Sequence, residues 1–189
     1  MSQLGATNAL PTILKSEEVY AGRLVKVRRD EIQFPGGQLA SREVVEITDA
    51  VAIVAIDSRS RVCLLRHYRH PQRAYVWEVP AGRLDTPDEQ PLVTAKRELL
   101  EEAGLVAEHW TPLIVSISSA GFATERTHIF LATGVRSATV PEDLQPSAEE
   151  QHIQRFLRPI DEVISDIKNG ELADAKTVIG VLLADANVR

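Results

Sequence analysis

The chain of 189 residues is long enough for one compact domain with a real core. Its 44% hydrophobic and 25% charged content is ordinary for a globular protein, and a net charge of -6 argues against a basic face for nucleic acid or anionic membrane. One cysteine, Cys63 in the apolar run RVCLL, excludes an intrachain disulfide and reads as a buried thiol. No apolar run is long enough to cross a bilayer, so the expectation is a soluble, cytoplasmic protein.

Residues 1–13 read as a loose N-terminal arm. From Val19 the sequence alternates through VYAGRLVKVRRDEIQF, breaks at Pro35-Gly36-Gly37 and resumes in LASREVVEI. That pattern predicts two strands joined by a turn, an antiparallel ribbon within residues 14–48. A two-stranded ribbon is marginal alone, and Val25, Val27, Ile32, Phe34, Val44 and Val45 give this one apolar residues on more than one face. AVAIVAID (50–57) is a continuous apolar run, the mark of a buried central strand, and VCLLRHYR beyond the DSRSR turn reads as its paired strand. YVWEVPAG (75–82) predicts a short strand ending at Pro80 and Gly82.

The period then changes. Pro91 suits a first helical turn, and Leu92, Ala95, Leu99 and Ala103 recur three and four residues apart. Gly104 stands where a helix end tolerates left-handed geometry. Strands resume at WTPLIVSIS and THIFLATGV, followed by the polar loop PEDLQPSAEEQ (141–151). IQRFLRP predicts a last strand, IDEVISDIKNG a helix closed by Asn169-Gly170, and ADAKTVIGVLLADA a final amphipathic helix. The order describes one α+β domain, with helices inserted between strands of a mixed sheet.

RELLEEAGL, residues 97–105, places Glu98 and Glu102 one helical turn apart with Glu101 beside them. Like charges at that spacing cost about 0.2–0.5 kcal/mol per pair. A solvated face with an Arg97–Glu101 ion pair is the ordinary explanation of such a cluster. The Pro-Ala-Gly turn at 80–82 favours another, because carboxylate and carbonyl oxygens together suit a hard divalent cation such as Mg²⁺.

GRLDTPDEQPLVTAKRELLEEAGL (82–105) resembles the Nudix box, G-x5-E-x7-R-E-U-x-E-E-x-G-U with U aliphatic. Arg97, Glu98, Leu99, Glu101, Glu102, Gly104 and Leu105 match every fixed position of its second half, and Glu89 stands eight residues before Arg97. Six residues rather than five separate Gly82 from Glu89, so either the loop carries an insertion or Asp88 takes the glutamate's part. Over roughly residues 17–185 the chain resembles the ADP-ribose pyrophosphatase branch, through YAGRLVKVRRDEIQFPGG, VWEVPAG, SAGFATERTHIFLA and IKNGELADAKTVIGVLL. It departs from that branch in one turn, Ser119-Ala120-Gly121, where a proline is usual at the centre; Glu125 beyond it is retained.

The resemblance implies a Nudix-type α+β fold, a mixed β-sheet sandwiched between helices over residues 49–189, with the N-terminal ribbon of 14–48 forming a homodimer. It implies Mg²⁺-dependent hydrolysis of ADP-ribose to AMP and ribose 5-phosphate, with Mn²⁺ as a substitute ion. The implied metal ligands are Glu98, Glu102, Glu101 and the carbonyl of Ala81, with Arg97 orienting the glutamates and Glu89 bracing the loop. The general base comes from the acidic loop after the box, where Glu149 and Glu150 stand level. Arg69 corresponds to a phosphate contact, Glu125 to a ribose contact, and Glu78 either to a ribose contact or to a residue supporting the substrate contacts from behind. Ala120 and Gly121 form the departing turn, and Arg42 reaches a ligand across the dimer. His67, His70 and Trp77 read as packing or surface residues. The partner is a small nucleoside diphosphate sugar, with no nucleic acid and no membrane. Hydrolysis of another such sugar is the runner-up. A catalytically silent, nucleotide-sensing Nudix domain is disfavoured by the intact glutamates and by the chain length.

Overall fold

The computed structural model describes residues 9–86, 88–141 and 152–188. The chain forms two compact units, one of residues up to Ile47 with Ser119–Glu125, the other of Thr48–Ser118 and Arg126 onward.

The first unit is an antiparallel sheet, β1 (Thr12–Ala21), β2 (Lys26–Gln33) and β3 (Leu39–Glu46), in that order. The turn expected at Pro35-Gly36-Gly37 joins β2 to β3, closed by Gly37 N–H on the Phe34 carbonyl at 2.8 Å. Gly37 has φ 85°, a left-handed conformation that glycine adopts without a steric penalty. The expected two strands are three. β1 begins inside the stretch read as an arm, and every residue of it is exposed, so no alternation announces it. Its pairing with β2 also slips twice, between Ile13 and Lys15 and between Glu18 and Tyr20, and each slip breaks the period-two pattern. The segment Ser119–Glu125 lies along β3: Val45 N–H donates to the Phe122 carbonyl at 2.7 Å, and Thr124 N–H to the Val45 carbonyl at 3.0 Å.

The second unit holds the core. β4 (Ala50–Ala55) lies between β7 (Ala81–Arg83) and β10 (Arg126–Thr133), parallel to β10, with β9 (His109–Ile117) beyond β10. A second sheet runs β12 (Gln154–Pro159), β5 (Arg61–Arg69), β6 (Ala74–Glu78), all antiparallel, and β8 (Leu105–Val106) pairs with β11 (Arg136–Ser137). The helices are α1 (Pro91–Ala103), α2 (Ile160–Asn169) and α3 (Ala175–Val188).

The apolar run in β4 is buried on both faces, as its composition requires. Val51, Ile53 and Ala55 join Ala95, Leu99 and Ala103 of α1 in one cluster. Ala52, Val54 and Ile56 join Val163 of α2 and Val181 and Ala184 of α3 in another. β5 and β10 divide their side chains the same way, so the strands lie between α1 on one side and α2 with α3 on the other. β5 is not the ladder partner of β4: the two meet at a single bridge, Ile56 with Val62, and β5 pairs with β6 and β12. Two strands that each carry a continuous apolar run bear no mark of which neighbours they take. No helix among the described residues is long and apolar enough to cross a membrane.

Candidate active site

β7 and α1 bring the acidic cluster against the strand end. Pro91 opens α1 and Gly104 closes it at φ 59°, its N–H on the Leu100 carbonyl at 2.8 Å. The helical period set by Leu92, Ala95 and Leu99 turns Glu98 inward, where it is 6% exposed. A buried carboxylate needs partners or a cation. Arg97 supplies one, its Nη1 lying 2.9 Å from Glu98 Oε1 and 2.8 Å from Glu101 Oε2. Partial burial works against the charge on Arg97, but Glu98, Glu101 and Glu89 prevail and hold it above its usual range. Glu102 Oε2 accepts the Ala81 N–H at 2.8 Å, which ties the strand end to the helix.

Gly82 completes this contact. A Cβ at that position would sit 2.0 Å from Glu98 Cδ and 2.2 Å from its Oε1, so the carboxyl occupies the space that only a glycine leaves. Of the two loop acids, Glu89 is the one joined to the helix, accepting Thr94 Oγ1 at 2.8 Å. Asp88 is exposed, with φ 63°.

A second constellation lies at the end of β5 and β6. Arg69 binds Glu78 through both carboxylate oxygens, Nε to Oε1 at 2.7 Å and Nη2 to Oε2 at 2.9 Å. Lys176 Nζ reaches Glu78 Oε2 and also Asp174 Oδ1, the latter at 2.9 Å. Burial pushes the Glu78 carboxyl up, yet the bonds and charges of Arg69 and Lys176 overcome it and hold its pKa at about 2. The hydrogen bonds to Glu78 raise Arg69 above its usual range, and the charge of Glu102 adds to them. Glu78 is thus buried and bonded to two cations, which accords with the supporting alternative expected for it.

Asp174 precedes α3 and caps it, accepting Thr177 N–H at 3.1 Å and Thr177 Oγ1 at 2.6 Å. Thr177 Oγ1 in turn accepts Val79 N–H at 2.9 Å, fixing the start of α3 to the strand that carries Glu78. Sequence reasoning passed over Lys176. The available signal was a lysine in the first turn of a helix, where the dipole disfavours a cation by about 0.3–1 kcal/mol.

Arg42, Ala120, Gly121 and Glu125 belong to the first unit. Arg42 is exposed and donates to the Ser41 carbonyl at 2.8 Å. Ala120 lies in a turn closed by Phe122 and Ala123 N–H groups on the Ser119 carbonyl, at 3.2 and 3.0 Å, so this turn forms without the usual proline. Glu149 and Glu150 lie outside the described residues. Trp77 packs edge-on against Phe156, ring centroids 4.9 Å apart.

Glu98, Glu101, Glu102 and the Ala81 carbonyl are hard oxygen donors, and the cradle over Gly82 holds one carboxylate at the strand end. That set fits a divalent cation of the Mg²⁺ type. Among the described residues no three acidic, imidazole or thiol side chains form a ready-made metal cage. Mg²⁺ ordinarily keeps several waters and needs few carboxylates, so a partial set suffices.

The NUDIX domain family matches residues 46–179, and the nucleoside diphosphate sugar hydrolase N-terminal domain family matches residues 12–45. The chain belongs to the NUDIX family. It is 38% identical to an ADP-ribose pyrophosphatase of Mycobacterium tuberculosis, over 92% of this chain and 82% of that protein. It is 36% identical to a methanol dehydrogenase activator of Bacillus methanolicus, over 89% of each chain. A crystal structure of an ADP compounds hydrolase superposes with a TM-score of 0.82 over 97% of each chain at 24% identity, a likeness of fold. The protein is accordingly a Nudix hydrolase, and enzymes of this family generally use divalent metal ions.

Proposed function

We propose that this Nudix hydrolase cleaves the pyrophosphate bond of ADP-ribose, giving AMP and ribose 5-phosphate, with Mg²⁺ as its ion and Mn²⁺ as a substitute. The observation that carries the reading is the pair of buried Glu98 and half-buried Glu102, laid against Gly82 and Ala81, in a chain 38% identical to an ADP-ribose pyrophosphatase.

In this reading Glu98, Glu102, Glu101 and the Ala81 carbonyl hold the ion. When bound, the ion neutralises phosphate oxygens and lowers the pKa of a coordinated water. Arg97 keeps Glu98 and Glu101 oriented, and Glu89 braces the loop through Thr94. Glu149 or Glu150 takes the proton of the attacking water. The oxygen of that water joins one phosphorus, and the bridging oxygen departs on the other phosphate. Arg69 meets a phosphate, Glu125 serves the ribose side, the Ala120–Gly121 turn contacts the substrate, and Arg42 reaches the ligand from a second subunit. Glu78 sets the charge and direction of Arg69 instead of touching ribose.

The same reading makes the protein a homodimer through its N-terminal sheet. β1 is exposed throughout, with Ile13, Leu14 and Tyr20 each more than half exposed, and such a surface needs a partner. A cytoplasmic setting accords with the unpaired, buried Cys63.

A broader reading, hydrolysis of another nucleoside diphosphate sugar, is favoured by the description of the N-terminal family and by Ala120 in the turn. Catalytic efficiencies on ADP-ribose, ADP-glucose, GDP-mannose and a diadenosine polyphosphate separate the two. ADP-ribose is expected to lead, with lesser turnover of other ADP-sugars. A tenfold advantage for any of the other three leaves only the broader reading. Light scattering at micromolar concentration is expected to give twice the chain mass, and a strictly monomeric mass rules out the dimer.

A further inference from the structure

We propose that Lys176 is a positioning residue for this hydrolysis: by sharing the carboxylate of Glu78, it keeps that pairing from cancelling the charge Arg69 offers to a substrate phosphate. The inference rests on the reading that Arg69 meets the substrate's pyrophosphate.

The geometry sets the charge count. Glu78 is 3% exposed and receives two cations, Arg69 across both oxygens and Lys176 on Oε2, while Asp174 also pairs with Lys176, so the four charges balance and loss of Lys176 would leave the cluster net negative. A bidentate arginine–carboxylate pair alone would neutralise Arg69 one for one. Lys176 competes for the same carboxylate and weakens its hold on the guanidinium's charge. The Arg69 side chain is 38% exposed, against 4% for Glu78, so Arg69 is the member of the pair that a ligand can reach. Two of its five N–H donors go to Glu78, and the other three meet no hydrogen-bond partner among the described residues.

Lys176 is held for this task against its local preference. It stands in the first turn of α3, where the helix dipole repels a cation. Asp174, the cap of that helix, accepts its Nζ at 2.9 Å, and the Thr177–Val79 bond fixes the helix start to the strand of Glu78. The bond to Glu78, from a residue 98 positions away in the chain, is what links it to Arg69.

Steady-state kinetics on ADP-ribose with saturating Mg²⁺ test this in Lys176→Met, Lys176→Arg, Arg69→Met and the Lys176→Met/Arg69→Met double variant. Lys176→Met is expected to raise KM about tenfold while kcat stays within about twofold, because binding and not the chemical step is weakened. Lys176→Arg should return KM to within about threefold of wild type. In the Arg69→Met background, Lys176→Met should change KM by less than about twofold, since a residue acting through another adds nothing once that other is gone. An unchanged KM in Lys176→Met, or fully additive effects in the double variant, overturns the proposal. The first outcome makes Lys176 a helix anchor, and the second makes it a direct substrate contact. Should the methionine variant not fold, Lys176→Gln keeps a donor while removing the charge and carries the same expectation. A wild-type enzyme that prefers another nucleoside diphosphate sugar contradicts the substrate assignment alone, and the same KM comparisons are then read on that sugar.

Discussion

The carboxyl of Glu98 occupies the space that a side chain at Gly82 would need: a Cβ there would stand 2.0 Å from Glu98 Cδ. Gly82→Ala must therefore push the carboxyl aside, although only the far end of one side chain has to move. We expect turnover to fall by about 100-fold or more, with an unfolding cost of about 1–3 kcal/mol, the usual range for one added methyl in a packed site. Parallel kinetics and thermal unfolding check this. Wild-type turnover in Gly82→Ala would mean that the Glu98 position does not matter to catalysis.

Replacing the acids themselves is a more direct perturbation. Glu98→Gln and Glu102→Gln are expected to keep the fold and lose turnover by orders of magnitude, because each removes a charged oxygen from a hard-cation site. Glu102→Gln keeps an oxygen for the Ala81 N–H, so a large structural change is not expected. Near-normal Mg²⁺-dependent rates in both variants would remove these residues from the metal site.

Much of this was legible before any coordinates, and the exceptions have physical reasons. The helix of residues 91–103 follows from its apolar period, its proline start and Gly104, and β4 follows from a run apolar on both faces. β1 escaped notice because an all-exposed strand with two register slips has no period to read. The sheet membership of β5 escaped because periodicity reports faces and not neighbours. At the site, the sequence shows Arg69 and Glu78 only as separate positions, one a phosphate contact and the other a ribose contact or a supporting residue. Their mutual pairing, and the arrival of Lys176, depend on a contact spanning 98 residues that no local pattern encodes.

Acid titration tests that buried pairing. The Glu78 pKa is held at about 2 from its ordinary 4.5, which corresponds to about 3 kcal/mol of stability. Its folded value is depressed, so the contribution is present above about pH 4.5 and is lost as pH falls toward about 2. Glu78→Gln should therefore be less stable than wild type near neutral pH, with the difference shrinking across that window. Denaturant unfolding at a series of pH values reads it. A difference that stays constant with pH would show that Glu78 is not held ionised by Arg69 and Lys176.

The general base is tested separately, in the loop after the box. Glu149→Gln and Glu150→Gln are expected to give one variant with turnover reduced by about 10²–10⁴-fold and nearly normal metal binding. Wild-type rates in both single variants and in the double variant would place the base elsewhere.

Product analysis tests the central claim most directly. ADP-ribose incubated with the protein and Mg²⁺, then resolved by mass spectrometry, should yield AMP and ribose 5-phosphate in equal amounts, and none when EDTA replaces the ion. Turnover that persists in EDTA, products other than that pair, or intact ADP-ribose in the presence of Mg²⁺ would contradict the account.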